Sequence, residues 1–308
     1  MLKDKLNYPE ILKQIEQDIQ NDFGKGKLAD YIPALANINP NQFAIHITTT
    51  LGEEYSVGNV DTLFSIQSIS KVYTFTLALK QLNDDIWQRV GKEPSGNRFN
   101  SLVQLEYENG IPRNPFINAG AIVISDIIFD GLGKTKNKVL QFVRGLSPNQ
   151  TISFDEEVAD SEREFGHRNK AMANLMKSFG NLKNDTNDVL DVYFHQCSIQ
   201  MTVKDLSRSL IYLANGGKSL SNQEIINYRQ AKRINALMLT CGLYDAVGDF
   251  AYRVGLPAKS GVGGGIVAII PNKLVISVWS PELNQAGNSY IGTKALELFT
   301  TYASNSIF

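Results

Sequence analysis

A serine and a lysine three residues apart, Ser68 and Lys71, stand in the run Phe64-Ser65-Ile66-Gln67-Ser68-Ile69-Ser70-Lys71-Val72-Tyr73-Thr74-Phe75. From Ser68 onward Ile69, Val72, Phe75, Leu79 and Leu82 recur at steps of three or four, which predicts a helix with one buried face. Residues at i and i+3 share a side of a helix, so the hydroxyl and the amine can meet. Ser65 is the expected N-cap, which puts Ser68 in the first turn, where free N–H groups and the helix dipole favour developing negative charge. A serine nucleophile needs a base, and a lysine whose pKa is lowered by desolvation can serve. Serine and lysine are common, so the pair alone is a weak signal.

Few other stretches compete with it. Gly131-Leu132-Gly133-Lys134-Thr135 resembles the end of a phosphate-binding loop, but the required first glycine falls on Ile128. Gly261-Val262-Gly263-Gly264-Gly265 precedes a strand pattern rather than a helix, so its glycines are expected to permit close backbone approach instead of cradling a dinucleotide. His195 and Cys197 are two apart on a helical segment and point in different directions, so no Cys–His dyad is expected there. His46, His167 and His195 have no ligand spacing, so neither metal nor organic cofactor is expected.

The bulk numbers narrow the class further. The 308 residues suffice for a large core in one domain or two joined lobes, and 43% hydrophobic with 20% charged content is ordinary for a soluble protein. With 30 basic against 31 acidic side chains, the net charge of −1 gives no reason to expect nucleic acid as a partner. No apolar run approaches a membrane span; the best, Ala119 to Phe129, is broken by Ser125 and Asp126. The N-terminus lacks the apolar core of a secretion signal, and Cys197 and Cys241 suit a reducing compartment, so the expectation is cytoplasmic.

The elements that must position Ser68 follow from periodicity. Ile11, Ile15 and Ile19 predict a short amphipathic helix within 9–22. Phe43, Ile45 and Ile47, a Leu51-Gly52 turn, then Tyr55 and Val57 predict an antiparallel hairpin, with His46 on the solvent or inter-layer side. Helical patterns dominate from about 84 to 235: 119–129, 138–144, 168–179, 189–197, 203–214 and 230–239. After Tyr244 the pattern becomes β over 250–254, 261–270 and 273–279, with a Pro271-Asn272 turn, and 288–303 closes as a helix. The order predicts a mixed α+β fold, with one sheet built from both chain ends (about 1–83 and 236–308) and a helical lobe (about 84–235) within a single catalytic domain. A cleft between them is the expected small-molecule site.

Lys259-Ser260-Gly261 strengthens the opening pair. S-x-x-K on an early core helix with K-[ST]-G on a late strand is the pattern of penicillin-recognising serine enzymes, so the chain resembles the β-lactamase-like superfamily. The S-D-N element of that pattern is absent, which favours another member. The chain resembles the serine-dependent glutaminases in Ala29-Asp30-Tyr31-Ile32-Pro33, Gln67-Ser68-Ile69-Ser70-Lys71, Val90-Gly91-Lys92-Glu93-Pro94-Ser95-Gly96 and Asn114-Pro115-Phe116-Ile117-Asn118-Ala119-Gly120. Further matches are Ser161-Glu162-Arg163-Glu164, Tyr193-Phe194-His195-Gln196-Cys197-Ser198, Cys241-Gly242-Leu243-Tyr244-Asp245 and Gly255-Leu256-Pro257-Ala258-Lys259-Ser260-Gly261-Val262.

The resemblance implies a β-lactamase-like serine hydrolase fold and hydrolysis of L-glutamine to L-glutamate and ammonia without a cofactor. It implies Ser68 as nucleophile, Lys71 as base and Tyr244 as a proton relay. The N–H groups of Ser68 and Val262 would form the oxyanion hole, and Tyr31, Asn118, Glu162, Asn169 and Tyr193 would bind glutamine. It also implies a homo-oligomer, a tetramer or dimer. Which of Lys71 and Tyr244 holds the proton at each step stays open at this stage. The rival expectations are a β-lactam or D-alanyl peptide hydrolase on the same fold, and a catalytically silent glutamine-binding protein.

Overall fold

The computed structural model describes residues 6–30, 33–36, 38–96, 101–131, 133 and 136–308. Tyr31 and most of the loop that resembles a phosphate-binding motif (Leu132, Lys134 and Thr135) lie outside them.

The predicted hairpin forms from β1 (Ala44–Thr49) and β2 (Glu54–Gly58). Two short strand pieces, β3 (Phe64–Ser65) and β4 (Ser153–Phe154), pair with β5 (Ile199–Met201) in a small antiparallel sheet. β6 (Ala258–Ser260), β7 (Gly265–Ile270) and β8 (Leu274–Trp279) complete the main sheet in the order β2-β1-β8-β7-β6, antiparallel throughout. The first and last strand groups therefore meet at the β1–β8 pairing, as the sequence order predicts. The two- and three-residue strands of the small sheet are too short to leave a periodic trace.

Both faces of the main sheet are covered, which is why β7 and β8 read as nearly unbroken apolar runs. On one face Ile45, Ile266, Ile276 and Val278 pack against α1 (Tyr8–Asp18) and the C-terminal helix Tyr290–Tyr302. In α1 the buried positions are Leu12 and Ile15, with Ile19 just past its end, while Ile11 sits at the rim, so the buried face is turned slightly from the predicted one. On the other face Ala44, Val267, Ile269, Val275 and Trp279 join the large core of the helical lobe.

That core is organised around α2 (Ser70–Leu82), α3 (Leu102–Tyr107), α4 (Asn118–Gly131), α5 (Asn137–Leu146), α6 (Glu156–Phe165), α7 (His167–Ser178) and α8 (Thr186–Cys197). The apolar stretch that falls short of a membrane span is the central helix α4, buried from Asn118 to Phe129. Its two polar breaks are satisfied internally. Ser125 donates to the Ala121 carbonyl, and Asp126 accepts from Arg89 and from the backbone N–H groups of Lys183 and Asn184. Burial pushes the Asp126 carboxyl upward, but these donors outweigh it and hold the pKa below the usual value.

Where 203–214 reads as one helix, the chain makes two, α9 (Val203–Ser209) and α10 (Ile211–Ala214), followed by α11 (Tyr228–Cys241). His46 is an inter-layer residue, bonded through Nδ1 to the Ser207 hydroxyl of α9 at 2.6 Å, and burial lowers its pKa to about 4. The predicted strand at 250–254 is instead the helix α12 (Val247–Arg253). Phe250 and Val254, four apart, are buried as a helical pair, whereas Tyr252, which carries the alternation, is 90% exposed.

Candidate active site

Ser68 sits in a sharp turn between β3 and α2. Gln67 adopts φ +48°, the left-handed region that a non-glycine side chain rarely occupies, and a 3₁₀ turn over Gln67–Ile69 leads into the α-helix at Ser70. Ser65 is not its N-cap: it lies in β3, and its hydroxyl donates to the Cys197 carbonyl at 2.8 Å. Together with the Ile66 N–H bond to the Ile199 carbonyl (2.9 Å), that contact fastens the turn to the end of α8. The helix start carries no side-chain cap, and the Ser68 N–H donates to no backbone carbonyl among the described residues.

The β6–β7 hairpin presses against this turn. A Cβ at Gly261 would lie 2.4 Å from the Ile66 carbonyl oxygen, and one at Gly263 would lie 2.2 Å from that of Ser65. Only glycine permits that approach, as the sequence reading of the glycine run anticipates. Between them, Val262 carries a second N–H with no backbone acceptor among the described residues.

Lys71 is fully buried, and its Nζ donates to Asn118 Oδ1 at 2.7 Å and to the Phe116 carbonyl at 3.2 Å. Burial lowers its pKa to about 8, with Cys197 and Glu162 acting in the opposite direction. Ser68 and Tyr244 line the same cavity, and the Tyr244 side chain lies within interaction range of Ser68. The helical spacing thus brings Lys71 to the right side, but its donors go to Asn118 and to the Phe116 carbonyl just before α4, while Tyr244 shares the cavity wall with Ser68. Tyr244 itself has φ +57°, a second strained non-glycine residue in the site, and burial raises its pKa far above the ordinary tyrosine value.

Ser68, Asn118, Glu162, Asn169, Tyr193, Tyr244 and Val262 line one cavity of about 440 Å³. Asn118 at the start of α4 links two of the groups, accepting from Lys71 and donating to Asn169 Oδ1 at 3.1 Å. Glu162, on α6, is half-buried; burial raises its pKa to about 7, opposed by the nearby Lys71 and Gln67 side chains. Of the nine residues predicted for the site, seven line this cavity and Lys71 abuts it through Asn118; Tyr31 lies outside the described residues.

The matching family model is that of the glutaminases, over residues 26–308. The chain belongs to the glutaminase family. It is 58% identical to a glutaminase of Aliarcobacter butzleri, covering 98% of this chain and all of that one. It is 54% identical to one of Agrobacterium fabrum, covering 97% of each. Among solved structures it resembles the probable glutaminase ybaS (35% identity, TM-score 0.92, 98% and 99% of the two chains). It also resembles a probable glutaminase from Bacillus subtilis complexed with 6-diazo-5-oxo-L-norleucine (31% identity, TM-score 0.88, 100% and 99%).

The glutaminase cavity has further lining that the motifs did not single out. Gln67, Ser161, Phe165, Gly166, His167, Arg168 and Cys197 all contribute. Chain position could have flagged several of them: Gln67 precedes the nucleophile, Ser161 and Phe165 flank Glu162, and Cys197 is four residues beyond Tyr193 on the same face of α8. Cys197 and His195 diverge as expected. The thiol faces the cavity with its pKa pushed up to about 12 by burial, while His195 turns to Lys136 (2.8 Å) and the Asp191 carbonyl (2.7 Å).

Proposed function

We propose that this glutaminase hydrolyses L-glutamine to L-glutamate and ammonia through a glutamyl ester on Ser68. The observation that carries the mechanism is the convergence, in one cavity, of a buried serine and a buried tyrosine, uncapped backbone N–H groups, a carboxyl and two asparagines. Glutamine is a zwitterion with a neutral side-chain amide. Its α-ammonium pairs with Glu162, and its α-carboxylate takes donors from Asn118, Asn169, Tyr193 and Tyr31.

The Ser68 oxygen attacks the side-chain amide carbon as its proton leaves, with Lys71 as the terminal base. A pKa of about 8 leaves roughly a tenth of Lys71 neutral at pH 7, enough to accept a proton without a large penalty. Tyr244 stands on the cavity wall with Ser68, and we assign it the transfer of the proton between the dyad and the departing ammonia. The oxyanion lies between the N–H groups of Ser68 and Val262, each worth roughly 3 kcal/mol of barrier. Water then cleaves the ester along the reverse proton path.

The α-carboxylate takes the Asn118 Nδ2 donor that otherwise goes to Asn169, while the Asn118 oxygen stays with Lys71 and couples substrate binding to the base. We read the chain as one catalytic domain of a sheet lobe (about 1–83 and 236–308) and a helical lobe (about 84–235). We assign it to the cytoplasm, where the two buried free cysteines fit a reducing environment, and to a homo-oligomer, a dimer or tetramer. Among the described residues no helix is long and apolar enough to cross a membrane.

Hydrolysis of glutamine, asparagine and a chromogenic β-lactam by wild type beside Ser68→Ala tests the reading. Ammonia release from glutamine that vanishes in the variant supports it. Rapid β-lactam turnover, or glutamine turnover that survives Ser68→Ala, contradicts it. One methylene is worth only about 1–3 kcal/mol in a pocket, so slow asparagine hydrolysis is expected.

A further inference from the structure

Lys259 is a second fully buried lysine near the nucleophile, and the mechanism above gives it no task. It lies on β6, and it is absent from the lining of the cavity. Its Nζ turns inward, donating to the Gly242 carbonyl at 2.8 Å and to the Ser260 carbonyl at 2.7 Å, and stands 4.5 Å from the centroid of the Tyr244 ring. Two carbonyls and an aromatic face surround the nitrogen with no carboxylate to hold a charge, and burial with the nearby Lys71 pushes its pKa well below the ordinary lysine value.

These contacts bracket a strained segment. Gly242, Leu243 and Tyr244 form the exit of α11, where Tyr244 takes φ +57°. The segment is drawn so close to β6 that a Cβ at Gly242 would sit 1.8 Å from the Ala258 carbonyl oxygen. A left-handed tyrosine persists only where its surroundings over-determine it, and Lys259 Nζ clamps that segment from both ends: the carbonyl before it and the ring at its close.

We infer that Lys259 is a positioning residue, whose side-chain nitrogen pins the Gly242–Tyr244 turn to β6 and so holds Tyr244 in place on the cavity wall beside Ser68. It acts through the tyrosine and touches neither substrate nor nucleophile. The inference rests on the proposed role of Tyr244 as proton carrier. Loss of the clamp lets the hydroxyl drift, and a displacement of about 1 Å costs roughly 10²-fold in rate. The substrate's α-amino and α-carboxyl contacts lie on the other wall, so the loss falls on kcat and leaves KM within about threefold.

The test is a double-mutant cycle of Lys259→Met with Tyr244→Phe, which keeps the ring and removes only the hydroxyl. Lys259→Met alone is expected to lower kcat for glutamine roughly 10²-fold, and to lower it less than about threefold further once Tyr244→Phe is present. Hydrolysis of a γ-aryl ester of glutamate, whose leaving group needs no proton, is expected to fall far less than that of glutamine in the same variant. Full additivity of the two substitutions, or equal loss on ester and amide, overturns the inference. If Lys259→Met does not fold, Lys259→Gln, which keeps two donors for the carbonyls, carries the same comparison; failure of both to fold assigns Lys259 to the fold alone and also overturns it. Tyr244→Phe with undiminished glutamine turnover would instead refute the role of Tyr244 itself.

Discussion

The two walls of the cavity are built to different standards. The chemical wall, Ile66 to Phe75, is buried residue by residue, and two strained positions, Gln67 and Tyr244, are held there by glycine-close backbone packing and buried donors. The recognition wall is mixed: Asn118, Asn169 and Tyr193 are buried, while its carboxyl stands on an outer helix. In α6 only Val158 and Ala159 are buried, Glu162 is half-buried, and its neighbours Arg163, Glu164 and Phe165 are exposed. Strain and exact placement are stored where bonds are made and broken, inside the main core. The substrate's ammonium is met by an outer helix, α6, that needs only to present a carboxylate. Damage to the first wall should therefore appear in kcat and damage to the second in KM.

The largest expected effect is on the chemical wall. Ser68→Ala should lower kcat by roughly 10⁴-fold or more with the fold unchanged by circular dichroism, and adding Lys71→Ala should cost little beyond it, because the two act as a unit. An independent, multiplicative loss would separate them. On the recognition wall, Glu162→Gln keeps the shape and removes the charge; a lost charge-assisted contact of about 1.5–3 kcal/mol raises KM roughly 10- to 100-fold, with kcat changed much less. A loss confined to kcat would put Glu162 on the other side of the comparison.

The pH profile sharpens the contrast. Lys71 accepts a proton only when neutral and Glu162 pairs with the ammonium only when ionised, so kcat/KM should rise with pH through about 7 and again through about 8. The acid limb then has two components in wild type and one in Glu162→Gln, read from its slope below pH 7.

The smallest effect concerns stability without substrate. The pKa of Glu162 is raised above its unfolded value of 4.5, so its stabilising contribution is full below that value and is lost as pH rises through about 7. Thermal melts should show wild type losing more stability than Glu162→Gln between pH 5 and pH 8. Identical pH dependence of the two melting curves would remove the strain assigned to this carboxyl.

Legibility in the sequence followed the same division. Long periodic elements such as α2 and α4, the hairpin and the two late strands β7 and β8 were readable because apolar spacing reports burial directly. Ser68 and Lys71 were readable because helical spacing sets their side. What stayed hidden was set by tertiary contact. The strands that anchor the nucleophile turn are two or three residues long, the α12 pattern was ambiguous between periods, and Ser65 was taken from a cap by its bond to Cys197. The left-handed backbone of Gln67 and Tyr244, and the partner that Lys71 takes at rest, depend on packing across the chain.

The central claim is that Ser68, and not the cavity's other nucleophile Cys197, attacks the side-chain carbonyl end of glutamine. Labelling with 6-diazo-5-oxo-L-norleucine, the glutamine analogue held by the related Bacillus subtilis structure, followed by peptide mapping, tests it most directly. A single adduct on the peptide that contains Ser68, lost together with ammonia release in Ser68→Ala, is the predicted result. An adduct on Cys197, with turnover retained in Ser68→Ala, would contradict it.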